Sequence, residues 1–94
     1  MELSVRDNEA EHRFELVADG QQAGLAAYRV RDGRTVITHS EVDPAHRGKG
    51  LGGELARLTL DTLRDRGARV VVSCPFFVRY VEQHHDWDAI LEDA

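Results

Sequence analysis

Three runs of the chain, residues 12–18, 24–31 and 35–42, carry the β-branched, aromatic and alternating apolar side chains of strands, and Asp19-Gly20 and Asp32-Gly33 divide them. Asp-Gly between extended runs favours two-residue hairpin turns, so the three are expected to form an antiparallel meander. Residues 3–7 add an edge strand paired to the first run, and the polar stretch from Glu9 to His12 reads as a turn. From residue 50 to 66 the period changes. Leu51, Leu55, Leu58, Thr62 and Leu63 fall at helical spacing, Ala56 and Leu60 widen the stripe, and Gly67 ends it as a left-handed cap would. Val70, Val71 and Val72 then form the continuous apolar run of a strand buried on both faces. Pro75 suits the first position of a last helix whose inner face is Phe77, Tyr80, Val81 and His84.

Strand, helix, strand across residues 35–73 implies a crossover and a parallel strand pair. The fold class is therefore α/β (α+β): an antiparallel strand meander followed by helix, parallel strand and helix. In such sheets ligands bind at the carboxyl ends of the strands, which is where residues 43–53 lie. No repeat, low-complexity tract or linker interrupts the 94 residues, so they read as one domain spanning residues 1–94 with a single core.

Composition narrows the classes of function. A hydrophobic share of 41% beside 31% charged residues is that of a globular protein. A net charge of -5 argues against nucleic acid as a partner, which demands a basic face, and favours a cationic acceptor such as an amine. No apolar run approaches the roughly 18 residues that would cross a bilayer, and the first ten residues are too polar for a signal peptide, so no membrane role and a cytoplasmic location are expected. Cys74 stands alone and has no internal disulfide partner, which is compatible with a reducing compartment.

Candidate chemistry begins at V-D-P-A-H-R-G-K-G-L-G-G, from Val42 to Gly53. Gly48, Gly50, Gly52 and Gly53 let the backbone take positive φ and approach a ligand closely. The N–H groups of Leu51 and its neighbours open a helix and so lack internal partners. Arg47 and Lys49, the only lysine, bring full positive charge. A pyrophosphate is the natural guest. Gly48, Gly50 and Gly53 satisfy G-x-G-x-x-G, but the acidic residue that a dinucleotide site needs about 20 positions later is Ser73. Lys49 is followed by Gly50 and not by the Ser or Thr of a P-loop.

What remains is R-x-x-G-x-G, carried by Arg47, Gly50 and Gly52 after an extended segment ending at Val42. This resembles motif A of the GNAT superfamily of N-acetyltransferases, whose loop holds the pyrophosphate of acetyl-CoA. The stretch S-C-P-F-F-V-R-Y-V-E-Q-H-H-D-W, Ser73 to Trp87, is similar to the second half of the minimal GNAT-like proteins. The resemblance covers roughly residues 13 to 87, and one departure, His85 where relatives often carry proline, touches only the end of the last helix. It implies acetyl-CoA as cofactor, bound by Val42, Arg47, Gly48, Lys49, Gly50, Leu51, Gly52 and Gly53, and an amine as acceptor. It also implies that the strands over residues 35–42 and 70–73 splay, so that the pantetheine arm enters between them and pairs with exposed backbone.

Acyl transfer to an amine requires a neutral nucleophile, a polarised thioester carbonyl and a proton for the departing sulfur. Tyr80 lies near where the superfamily often has a tyrosine that donates to that sulfur; the alternative is that it packs on Phe77. Cys74, at a position where minimal relatives carry a cysteine, is either a nucleophile in a covalent acetyl-cysteine route or a small buried hydrophobe. His39 and Glu41 share one face of their strand by the two-residue period. They are candidate bases if that face looks into the cleft and a half-exposed polar surface otherwise. His84 and Asp88 alone have helical metal-ligand spacing, and a polar helix end beside a packed Trp87 is the preferred reading, with no metal. The expected activity is acetyl transfer from acetyl-CoA to an amine. A CoA-binding module or regulatory partner without efficient turnover is the alternative, and a small interaction protein the third. A small sheet with exposed edges could pair with a second copy as a homodimer.

Overall fold

The computed structural model describes residues 1–93. Strands β1 (Leu3–Asn8), β2 (Arg13–Ala18), β3 (Gln21–Arg31), β4 (Arg34–Val42) and β5 (Arg69–Val72) form one sheet in the order β1-β2-β3-β4-β5. Successive strands are antiparallel up to β4, and β4 pairs with β5 in parallel. Helix α1 (Leu51–Asp65) makes the β4-to-β5 connection and α2 (Pro75–Gln83) follows β5. Both Asp-Gly pairs turn with two left-handed residues, for example Asp32 at φ 53° and Gly33 at φ 76°. This is the mirror-image turn whose twist matches the strands it joins. The polar stretch after β1 is a short 3-10 turn, Glu9–Glu11, whose N–H at Glu11 bonds the Asn8 side chain.

One face of the sheet carries Phe14, Leu16, Ala26, Tyr28 and Ile37, which pack against Leu55, Leu60 and Leu63 of α1 and Phe77 and Val81 of α2. Side chains of this kind contribute roughly 1.5–3 kcal/mol each on full burial. Past α1, Gly67 at φ 70° sends its N–H to the Arg64 carbonyl and the Ala68 N–H to that of Leu63. These two bonds satisfy the last carbonyls of the helix and reverse the chain into β5. Val70 lies on the helix side in this core, whereas Val71, buried but outside it, lies on the other face. The valine run thus alternates across the sheet, and its outer side is covered by something other than the helices. The free edge of β5 is met by the C-terminal segment, with Val70 bridged to Leu91 and the Glu92 N–H on the Val70 carbonyl at 2.8 Å. Among the described residues no helix is long and apolar enough to cross a membrane.

At the β1–β2 end the opposite face buries an acid. Glu15, 3% exposed, accepts bonds from Arg6 at 2.7 Å, Asn8 at 3.0 Å and Arg13 at 2.8 Å. The Arg6 bond, reinforced by those of Asn8 and Arg13, lowers its carboxyl to about 2. On the helix side Tyr28 donates to Asp7 at 2.6 Å, and the other Asp7 oxygen takes Arg66 from the end of α1 at 2.8 Å. Burial and the Asp7 bond raise the Tyr28 phenol to about 12.

Candidate active site

The parallel pairing of β4 with β5 runs only from Arg34 opposite Arg69 to Ile37 opposite Val72. There the Ile37 carbonyl accepts the Ser73 N–H at 2.9 Å, the Cys74 N–H at 3.2 Å and the Ser73 hydroxyl at 3.1 Å. These bonds pin the end of β5 as the chain turns into α2, whose first helical position is Pro75. β4 runs on to Val42 without a β5 partner. The strands therefore part, as expected, and leave a wedge open at their carboxyl ends. A cavity of about 150 Å³ in this wedge is lined by Ser40, Glu41, Val42, Gly52, Leu55 and Phe76. Where the pairing stops, Cys74, 4% exposed, has its Sγ 3.2 Å from Ser40 Oγ.

Ser40 is the residue that pattern reading missed. The β3–β4 register shifts between Ala27 and Tyr28, so that Ala27 faces His39 and Tyr28 faces Ile37, and Thr38 is left as a bulge. A bulge resets the alternation of side chains. Without it Ile37, His39 and Glu41 would share the helix-side face. With it Ile37 and Ser40 point toward the helices, while His39 and Glu41 project from the opposite face. There they bond each other, Nε2 to Oε2, at 2.8 Å with side chains 60% and 55% exposed. His39 does not border the wedge cavity, whereas Glu41 does. Nothing in the residue types announces a bulge at a threonine.

The glycine-rich segment follows β4 directly through a 3-10 turn at Pro44–His46. Gly48 at φ 81° and Gly50 at φ 73° are left-handed, and Gly50 caps α1 with no side chain covering the first turn. The first N–H groups of α1 thus face outward without helical partners, at the positive end of the helix dipole. Arg47 and Lys49 are exposed beside them, and Arg47 Nε bonds the Val42 carbonyl at 3.3 Å. Leu51 is 3% exposed and anchors the turn in the core, so only its backbone is free to serve a ligand. The expectation for Gly52 and Gly53 is corrected. Neither takes positive φ; both lie inside α1. A Cβ at Gly52 would sit 3.0 Å from Phe76 Cζ, and one at Gly53 would sit 3.7 Å from Tyr80 Cε1. Gly52 is there because α2 brings an aromatic ring onto the first turn.

Tyr80 lies one helical turn beyond Phe76, stacked on His84 at 4.3 Å between ring centroids and tilted against Trp87 at 5.6 Å. It lines a separate cavity of about 470 Å³ between the helices, with Arg57, Asp61 and Trp87, and does not border the cavity of Ser40 and Val42. Burial raises its phenol above the ordinary value, against the opposing pull of Arg57. At the end of α2, Asp88 is met by His85, at 3.1 Å, and His84 is held in the aromatic stack. Among the described residues no cluster of three or more metal-ligating side chains forms.

These features have the shape of a site for a long ligand with an anionic head: outward-facing N–H groups and two cations stand at one end, and an unpaired strand edge runs from them to a buried thiol. The model of a family described as GCN5-related N-acetyltransferase matches residues 13–90. Streptothricin acetyltransferase of Streptomyces lavendulae is 49% identical over 53 residues, 54% of this chain and 28% of that protein, so the chain spans little more than a quarter of that relative's length. The solution structure of a GCN5-like N-acetyltransferase from Staphylococcus aureus superposes with a TM-score of 0.69 over 98% of this chain and 90% of that one, at 19% identity. At that identity the likeness is one of fold.

Proposed function

The chain belongs to the GCN5-related N-acetyltransferase family, and from that premise we propose that it binds acetyl-CoA in the wedge between β4 and β5 and transfers the acetyl group to an amine. Acetyl-CoA supplies an activated acyl group with a thiol as leaving group. The backbone N–H groups over residues 48–53, with Arg47 and Lys49, receive the diphosphate. The open edge of β4 from Thr38 to Val42 orients the pantetheine amides, which sets the thioester beside Cys74. One observation carries this reading: pairing of β4 with β5 stops at Ile37 just where a glycine-rich, uncapped helix start faces the same opening. A loop that bound incidental anions would have no use for the second break.

Two routes fit the Cys74–Ser40 contact. In direct transfer the amine attacks the thioester carbonyl, and the thiol and hydroxyl pass a proton to the departing sulfur. In the covalent route the Cys74 thiolate displaces the coenzyme thiol, and the amine then attacks the acetyl-cysteine and releases the thiol. His39 and Glu41, on the far face of the sheet, support a proton acceptor for an amine arriving from that side. The placement of Tyr80 over Gly53 supports a packing role.

Intact-mass measurement after incubation with acetyl-CoA and a panel of amines tests this. The covalent route adds one acetyl group to the protein before any amine is present, and the adduct disappears in Cys74→Ala. Direct transfer acetylates the amine with no adduct. Protein that binds acetyl-CoA and does neither is a CoA-binding module, which the absence of Tyr80 from the wedge would favour. Protein that does not bind it refutes the proposal.

A further inference from the structure

The face of the sheet away from the helices bears on the acceptor. There the register sets Arg31, Arg34 and Arg69 in one row across three strands, with Arg29, Val36 and Val71 in the next. Like charges directly opposite one another weaken a sheet, so three arginines in line are a cost that the fold carries. Glu92 from the C-terminal segment bonds both Arg34 and Arg69. Among the described residues no carboxylate is paired with Arg29 or Arg31.

A cavity of about 450 Å³ opens over these rows, with Arg29, Arg31 and Arg34 toward one end, Val36 and Val71 as an apolar floor, and Ser73 at the other end. Asp32, Glu92 and Asp93 complete its rim. Ser73 is the residue before Cys74, and its hydroxyl is bonded to the Ile37 carbonyl, where the wedge begins. The cavity thus runs along the strands from the guanidinium groups of Arg29 and Arg31 to the back of the opening in which the thioester is proposed to lie. The lining balances Arg29, Arg31 and Arg34 against Asp32, Glu92 and Asp93, but Glu92 is taken up by Arg34 and Arg69, which leaves Arg29 and Arg31 as the guanidinium groups open to an added carboxylate.

We infer that the acceptor is an amine that also carries a carboxylate, held by Arg29 and Arg31 with its amino end directed past Ser73 into the wedge. Guanidinium forks match a carboxylate in geometry and charge. A strand rises about 3.3 Å per residue and neighbouring strands lie about 4.8 Å apart, so the two arginine rows lie roughly 7 and 13 Å from Ser73 along the strands, with Arg29 and Arg31 about 10 Å to the side on β3. That spacing selects an elongated amino acid, or a peptide-like molecule, over a small α-amino acid. Its use as an acceptor rests on the acetyltransferase proposal; its binding does not.

The test uses three amines of equal chain length: aminocaproate, hexylamine and hexamethylenediamine. The expected result is a kcat/KM for aminocaproate about tenfold or more above the other two, with that preference falling to within about twofold of unity in Arg29→Gln/Arg31→Gln. Equal use of the three, preference for the diamine, or a preference unmoved in the double variant overturns it. Amide shifts on titrating caproate alone read the binding step separately. They are expected at residues 29, 31, 71 and 73 and absent in the double variant. If none of the three amines is acetylated, acetyl transfer to this class fails while caproate binding still decides the site, and no shifts, or shifts elsewhere, overturn it.

Discussion

The two ends of the sheet treat polar groups in opposite ways. At the β1–β2 end every strand is paired, Glu15 is buried under three donors, and Tyr28, Asp7 and Arg66 tie β3, β1 and α1 together. At the β4–β5 end the ladder breaks after Ile37, a helix starts without a side-chain cap, and a buried thiol meets a serine that lines a cavity. Satisfied groups contribute stability, and groups left without partners are the ones able to meet a ligand. The contrast assigns stability to one end of the sheet and binding to the other.

Substitutions should separate the two properties accordingly. Gly50→Val forces a branched side chain into a left-handed cap. It is expected to raise the acetyl-CoA dissociation constant about 100-fold, or roughly 2.7 kcal/mol, while the protein stays folded by circular dichroism; unchanged affinity would break the contrast. Glu15→Gln acts at the other end. The folded carboxyl is depressed from 4.5 to about 2, so its contribution is fully present above the unfolded value and is lost as pH falls from about 4.5 through about 2. With Arg6 and Arg13 open to solvent, we expect about 2 kcal/mol and a drop in Tm of roughly 10 °C at neutral pH. The variant should also lose less stability than the parent on acidification, with acetyl-CoA affinity unaltered. Tyr28→Phe removes one bond to Asp7, whose salt bridge with Arg66 remains; urea unfolding should report a loss of about 1 kcal/mol. Thr59 is fully buried in α1 and its hydroxyl has no partner among the described residues. Thr59→Val should therefore stabilise the fold by up to about 1 kcal/mol, and a loss of stability would show that the hydroxyl is satisfied after all.

Periodicity and turn chemistry carried most of the fold. The Asp-Gly turns, the stripe from Leu51 to Leu63, the cap at Gly67 and the start of α2 at Pro75 are local signals, and each element stands within a few residues of where they put it. The left-handed backbone at Gly48 and Gly50, ahead of the first turn of α1, was legible for the same reason. What could not be read depended on neighbours distant in the chain. The bulge at Thr38 arises from pairing with β3, and it alone decides that Ser40, and not His39 or Glu41, meets Cys74. Gly52 answers to the Phe76 ring, and the arginine rows exist only once β3, β4 and β5 are in register. Tyr80 was placed on the inner face of its helix, but inner proved to mean the seam with α1.

Backbone amide shifts followed while coenzyme A is added test the division between the two ends most directly. Large shifts are predicted over residues 38–42 and 48–53 and at Cys74, with residues 3–18 unmoved. Saturation that leaves the 48–53 amides in place, or that moves the β1–β2 end instead, would contradict it.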